Sequence, residues 1–134
     1  MIIDPSDELL TFFEKSLTGM DYGVYTEIPT DKVDNYIHLQ TLYLTDEGTK
    51  NSIAYDCSLT IDIATRFRGQ GSRKQVNSIS SDIMEKIIGK NIITQNFTSV
   101  TDPWLDTLEN ETLDTGDFKV IGKLMILRFK VQQN

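Results

Sequence analysis

Cysteine and histidine are almost absent from this chain of 134 residues, which contains one of each, Cys57 and His38. A single cysteine excludes an intrachain disulfide and any zinc site built from several thiolates. The histidine has no cysteine or carboxylate partner at the spacing of a metal-ligand set, so we expect it to be structural. We therefore predict neither a metal site nor a cofactor site.

Cations and long apolar runs are also scarce. The chain has 13 Lys and Arg residues against 20 Asp and Glu residues, a formal net charge of −7, which argues against general affinity for DNA phosphates. No apolar run approaches the length of a membrane span, and the N-terminus lacks the basic region and apolar core of a signal peptide. We expect a single domain, residues 1–134, assembled in a reducing cytoplasm without a membrane partner.

The clearest pattern extends from Ile53 to Phe67, where apolar residues alternate with small or polar ones. A period of two predicts a β-strand with one face in a core. Cys57 falls on that face and is expected to be a small buried hydrophobic residue. At about 3.3 Å per residue the strand would reach roughly 50 Å, more than twice the usual length. We therefore expect it to bend, to carry a bulge or to extend past its own domain.

Capping residues delimit two predicted helices. Asp4 is expected to cap the first, ahead of a proline at the first helical position, and Gly19 to end it. Ser72 is expected to cap the second, with Gln75 completing a capping box, and Gly89 to end it. Apolar residues at helical spacing in both segments indicate that both helices pack on a sheet.

Similar alternation predicts three further strands, Val24–Ile28, Tyr36–Leu44 and Lys119–Val131. The polar segment Thr45–Asn51 is typical of a turn and predicts a long hairpin between the second of these strands and Ile53–Phe67. Farther along, Ile92–Val100 is compatible with a strand, and Asp102-Pro103-Trp104 is expected to start a short helix or to brace a loop. The resulting fold class is α+β, a mostly antiparallel sheet with a long central β-hairpin and two helices packed on one face.

Two short motifs resemble functional signatures without the context that those signatures require. Asp114-Thr115-Gly116 spells the aspartic protease motif, but Asp117 follows where that family has a small residue, and little chain remains downstream. An acidic turn is the favoured interpretation. In Gly69-Gln70-Gly71, the third glycine of a dinucleotide fingerprint is replaced by Lys74, which favours a plain strand-to-helix turn. We expect no catalytic residue and no enzyme activity.

Charge is distributed unevenly along the chain. Four cations cluster around the predicted strand-to-helix turn, whereas the segment Thr101–Asp117 contains six acids and no cation. The two sets could neutralise each other within one fold or remain solvated. Alternatively, the basic set of one copy meets the acidic set of the next in a head-to-tail contact, which closes into a ring when the rotation permits. The candidate subunit-interface residues are Arg66, Arg68, Arg73, Lys74, Asp102, Asp106, Glu109 and Glu111.

The order of these features is similar to that of the tail-completion or tail-terminator proteins of tailed bacteriophages. The resemblance spans roughly residues 7–131 and rests on three features in order: the long strand Tyr55–Ile63, the arginine-containing turn Thr65–Gly69, and the helix pattern of Val76, Ile79 and Ile83. The segment 91–116, with Trp104, fits least well. The family has no catalytic residues to carry over to this chain.

What the resemblance implies is a structural virion protein with a tail-terminator-like domain that forms a homo-oligomeric ring. A hexamer is favoured, and a dodecamer is the other option. The ring would lie in the head–tail connector or neck, or would cap the tail tube, next to portal, connector or tail-tube proteins. It would be assembled in the host cytoplasm. DNA would only pass through its lumen, where a surplus of carboxylates would repel the phosphates and let DNA slide.

Two other functions stay open at this point. The acidic segment 101–117 would allow a non-catalytic cytoplasmic adaptor or inhibitor to bind a basic partner. A proteolytic function would depend on Asp114 alone.

Overall fold

Two helices and five strands make up the described part of the chain, which in this computed structural model comprises residues 1–27, 34–68 and 71–134. In chain order they are α1 (Ser6–Ser16), β1 (Gly23–Tyr25), β2 (Asn35–Asp46), β3 (Ala54–Phe67), α2 (Lys74–Ile87), β4 (Phe97–Asp114) and β5 (Lys119–Gln133). The strands form one sheet in the order β1-β2-β3-β5-β4, and only the β1–β2 pair is parallel. The predicted α+β class, with its long antiparallel hairpin, is confirmed.

β3 is the central strand of the sheet, and buried side chains alternate regularly along it. Its side chains alternate as predicted, and Cys57, Leu59 and Ile61 are buried. β3 pairs with β5 over its whole length without a register shift, and the shift on its other side lies in β2, between Leu39 and Thr41. The expectation that this strand carries a bulge or leaves its own domain is therefore wrong, because β5 is long enough to pair with it throughout.

Both helices pack on the same face of the sheet and share one hydrophobic core with it. α1 buries Leu9 and Phe13, and α2 buries a stripe of apolar side chains between Val76 and Ile87. Phe13 contacts Phe129 of β5, with ring centroids 5.2 Å apart. Burying each such side chain is worth roughly 1.5–3 kcal/mol. Neither helix of the described residues is long and apolar enough to cross a membrane.

The other face of the sheet is left uncovered by α1 and α2. It carries the alternate residues of each strand, including Ser58, Thr60 and Asp62 of β3, which are only partly buried. We call this surface the open face. Because its side chains are mostly polar or half-buried, the hydrophobic core of the described residues lies on the helix side of the sheet.

The first helix begins one residue later than predicted. Pro5 occupies the N-cap position, and the carboxylate of Asp4 still accepts a hydrogen bond from the N–H of Ser6 at 3.0 Å. Asp4 therefore satisfies one free amide of the first turn, as a capping residue does. Gly19 follows the helix with a φ of +88°, a conformation that favours glycine, so the predicted end is confirmed.

The predicted capping box of the second helix is wrong. The helix starts only at Lys74, so the N-cap position falls to Arg73, which makes no side-chain cap bond. The hydroxyl of Ser72 accepts the N–H of Lys74 at 3.1 Å instead of closing a box with Gln75. Gly89, with a φ of +73°, ends the helix as predicted. Gly69-Gln70, from the predicted turn, lies outside the described residues.

β4 is the largest departure from the sequence prediction. The segment Asp102-Pro103-Trp104 was expected to form a short helix or a loop, but it lies within an 18-residue strand. All three register shifts of β4 against β5 fall between Ser99 and Thr107. Such irregular pairing at an edge tolerates Pro103, which cannot donate a ladder hydrogen bond.

Two short predicted strands are confirmed in part. Of the predicted strand Val24–Ile28, only Val24 and Tyr25 belong to β1, which starts at Gly23. Ile28 lies outside the described residues. In the second region, Ile92–Val100, the strand starts only at Phe97, and the one earlier pairing is an isolated bridge to Ile93.

Candidate subunit interface

β4 forms one edge of the sheet, and its second half is a regular ladder. From Thr107 to Asp114 it pairs with β5 at eight consecutive positions without a shift. No other strand of the described residues pairs with its outer side. We call Thr107–Asp114 the β4 edge. Its outward N–H and C=O groups form a template on which another strand can add.

Apolar side chains are exposed along the same strand. Nine large apolar residues are exposed in the described part of the chain, and five of them lie on β4: Val100, Trp104, Leu105, Leu108 and Leu113. Trp104, which fitted no sequence pattern, stands opposite Arg128 of β5. A concentration of exposed apolar side chains on one element is typical of a contact surface.

The four candidate cations are all exposed: Arg66, Arg68, Arg73 and Lys74. Arg66, near the end of β3, stacks over the ring of Phe118 at 4.4 Å. Arg73 donates a hydrogen bond from Nη2 to Oγ1 of Thr112, 2.9 Å away. Arg73, just before α2, therefore lies beside the β4 edge.

The four candidate acids lie along β4: Asp102, Asp106, Glu109 and Glu111. The first two have local partners, since Asp102 accepts a hydrogen bond from Oγ of Ser99 at 2.7 Å and Asp106 accepts one from Oγ1 of Thr107 at 3.1 Å. The two glutamates alternate along the regular ladder and project from the open face. The segment that reads as an acidic loop in the sequence is therefore an acidic strand.

The basic and acidic sets do not form ion pairs with each other within the described residues. The ion pairs found there are Arg128–Asp56 at 3.0 Å and Lys130–Glu47 at 3.1 Å, and neither uses a candidate interface residue. Within the described residues no ion pair supports the interpretation that the two sets pair within one fold, so the solvated arrangement and the contact between copies stay open. Seven of the eight candidate residues are exposed in the single chain, and Asp102 is partly buried.

The open face also holds a carboxyl pair that sequence reasoning missed. Glu111 stands opposite Gly122 of β5, whose partner on β3 is Ala64, two residues after Asp62. A Cβ at Gly122 would lie 3.6 Å from Oε2 of Glu111, which reaches over the glycine. Burial raises the pKa of Asp62. Burial and the charge of Asp62 raise the pKa of Glu111. His38 of β2 stands directly opposite Asp62, a pairing that the sequence does not reveal.

A chain in the solved structure of the virion of native gene transfer agent particle has the same fold. The two chains align with a TM-score of 0.66 and 13% sequence identity, over 90% of this chain and 84% of that one. The sequence matches no family model and no curated protein. At this level of identity the likeness establishes the fold, and function has to be argued from the surfaces.

Local structure explains two other sequence candidates. Cys57 is buried in the core, and burial raises the pKa of its thiol to about 12. Asp114 is exposed where β4 turns into β5, and its carboxylate accepts the N–H of Gly116 at 3.0 Å. The acidic-turn interpretation is confirmed. No group of three His, Cys, Asp or Glu side chains among the described residues is arranged to hold a metal ion.

Proposed function

We propose that this chain is a structural, non-enzymatic protein of a phage-like virion. The observation that carries the proposal is the fold, which the chain shares over nine-tenths of its length with a chain of a gene transfer agent virion. The surfaces agree with it, because the described residues offer a long exposed edge and unpaired charges rather than a cluster of catalytic groups.

The more specific proposal is a tail-terminator-like domain that assembles into a ring. The ring lies in the head–tail connector or neck, or caps the tail tube, and it contacts portal, connector or tail-tube proteins. Six copies are favoured over twelve. The net charge of −7 suits a lumen through which DNA passes, because carboxylates repel phosphates and prevent the DNA from binding tightly.

The eight candidate interface residues hold neighbouring copies together head to tail. Arg66, Arg68, Arg73 and Lys74 of one copy face the acids of β4 in the next. Support comes from the absence of ion pairs between these two sets within the described residues of a single chain. A contact of this kind is heterologous and closes into a ring when the rotation between copies permits.

A charge exchange between copies tests this contact. Arg68→Glu and Glu109→Lys should each reduce assembly, because each places like charges across the contact, and the double variant should recover it by restoring an opposite pair. Light scattering after size exclusion, with negative-stain images, measures the assemblies. Lys86→Glu, on the exposed part of α2, is the matched control. A strictly monomeric protein that is also missing from particles would contradict the virion proposal.

A second candidate function is a non-catalytic adaptor or inhibitor that binds a basic partner through segment 101–117. The exposed, cation-free acidic strand favours it. Capture of one basic protein by the native chain, lost when Asp106, Glu109 and Glu111 are neutralised to Asn, Gln and Gln, would support this function. If the neutralised chain captured the same protein equally well, this second function would be ruled out.

A further inference from the structure

The opposite side of the sheet also has an unpaired edge. β1 pairs with β2 only over Tyr36–His38. The later part of β2, Thr41–Asp46, pairs with β3 on one side and with no strand of the described residues on the other. We call Thr41–Asp46 the β2 edge. The described sheet therefore ends in two open ladders, the β2 edge and the β4 edge.

We infer that the β4 edge of one copy pairs with the β2 edge of the next copy, so that one sheet continues from subunit to subunit. The inference rests on the proposed self-assembly and is an alternative to the charge contact, because Arg73, Glu109 and Glu111 all lie at the β4 edge of one copy and would meet the β2 edge of the next. Main-chain hydrogen bonds between added strands supply affinity, and the flanking side chains supply specificity.

Strand direction permits this contact. β2, β3, β5 and β4 are neighbours in that order and each pair is antiparallel, so β4 runs opposite to β2. Rotation about a ring axis keeps the direction of each strand relative to that axis, so β4 meets the next β2 antiparallel. Because β1 occupies the start of β2, the β4 edge of the next copy pairs with the later part of β2. Neighbouring copies are therefore displaced relative to each other along the strand direction. Closed sheets require such a displacement, since their strands tilt.

Charge selects the β2 edge over a second β4 edge. The β4 edge contains Glu109, Glu111 and Asp114 and no cation. Two such edges paired about a twofold axis would oppose like charges, which destabilises strand pairs. The β2 edge carries one acid, Asp46 at its end, and no other charge, so it opposes the acidic edge with less repulsion than a second β4 edge would. A second copy joined head to tail is therefore the occupant that the charges favour.

Exposed apolar side chains flank both edges. Tyr43 on β2 is 66% exposed, and Leu113 on the β4 edge is 59% exposed. Pairing of the two edges would remove part of this surface from water, which stabilises the contact. Glu109 on the open face and Arg73 on the helix side would then lie at the margins of the contact, where charged groups are tolerated.

Cross-linking between two variants that each carry one added cysteine tests the pairing, because the native Cys57 is buried in the core and does not compete for the reagent. Thr41→Cys and Leu113→Cys both replace exposed residues of the open face. A mixture of the two variants treated with a bismaleimide should give a covalent dimer, whereas each variant alone should not. A chain carrying both substitutions should give a ladder of oligomers. We expect roughly tenfold more product than from Leu113→Cys mixed with Glu85→Cys, because proximity raises the effective concentration to about the millimolar range.

Each other outcome contradicts the inference in a recognisable way. Dimers from Leu113→Cys alone would show a twofold β4–β4 contact. Oligomers in light scattering without any cross-link in the mixture would exclude edge pairing and leave the virion proposal intact. A cross-link from Leu113→Cys to another protein in particles would identify a different occupant. A monomer at every concentration would overturn both the inference and the proposed ring.

Hydrogen exchange of the unmodified chain gives a second test that needs no substitution. Amides of the β4 edge and of the β2 edge should become protected when the protein is concentrated from monomer to oligomer, because their free N–H groups then donate to a partner. Amides of α2 serve as the internal control and should not change. Unchanged exchange at both edges in a confirmed oligomer would overturn the inference.

Discussion

The thiol of Cys57 should be chemically inert in the folded chain. Burial in the core raises its pKa to about 12, so almost no thiolate is present near pH 8, and the thiolate is the form that reacts. We expect a thiol-specific disulfide reagent at pH 8 to label the native protein far more slowly than the protein unfolded in guanidinium chloride. Equal rates in the two states would contradict the buried placement of Cys57.

Glu111 should limit stability at neutral pH. The raised pKa values of Asp62 and Glu111 mean that the folded chain keeps protons that the unfolded chain releases. The associated stability is complete below the ordinary carboxyl pKa and is lost as pH rises through the raised values. Glu111→Gln should therefore increase the free energy of unfolding at pH 7, but by no more than about 0.2–1 kcal/mol, because Glu111 is exposed and solvent screens its interaction with Asp62.

Urea denaturation at two pH values measures this effect. The gain should shrink near pH 3, where both carboxyls are largely protonated in the folded and the unfolded states. Asp106→Asn makes the same change of charge on exposed β4, away from Asp62, and is the matched control. A stability gain for Glu111→Gln that is the same at both pH values, or is matched by the control, would show that the carboxyl pair is not its cause.

At the scale of elements, Phe13 is one of the buried side chains that attach α1 to the sheet. Its side chain is fully buried and its ring contacts Phe129 of β5. Phe13→Ala should reduce the free energy of unfolding by about 3–5 kcal/mol, because it leaves a cavity under the helix. Phe12→Ala, at the adjacent and partly exposed position, should cost clearly less. Equal losses in chemical denaturation would place α1 differently on the sheet.

The elements that could be predicted are those whose own residues carry the pattern. β3 was predictable because one face is apolar at every second position, and the strand lies in the core on that face. β4 was not, because acids and Pro103 interrupt its alternation and its partner, β5, fixes it as a strand through pairing. Tertiary pairing overrides local propensity most often at such edges.

The candidate site was predictable to a similar degree. The charged residues were visible in the sequence as two sets, since composition alone separates them. Their failure to pair with each other depends on the register of β4 against β5, which no local pattern encodes. The carboxyl pair likewise depends on the registers of β3, β5 and β4, which bring Gly122 opposite Glu111 and Asp62 to the same part of the open face.

At the scale of the whole molecule, salt should affect assembly in two opposing ways. Copies that each carry a net charge of −7 repel one another, and salt screens that repulsion. Salt also screens the attraction between the basic set of one copy and the acidic set of the next. The double variant Arg68→Gln, Glu109→Gln separates the two effects, because it loses one charge of each sign and keeps the net charge of the native chain.

We expect the native chain to lose more association than this double variant when sodium chloride is raised from about 50 mM to about 1 M, a range over which the Debye length falls to about 3 Å. Sedimentation velocity at matched protein concentrations measures both dissociation constants. The repulsive term is the same in the two proteins, so the difference between their salt slopes reports the specific charge contact alone. Equal slopes would mean that Arg68 and Glu109 do not meet across the subunit contact, and the contact would then depend on the paired strand edges and their apolar side chains.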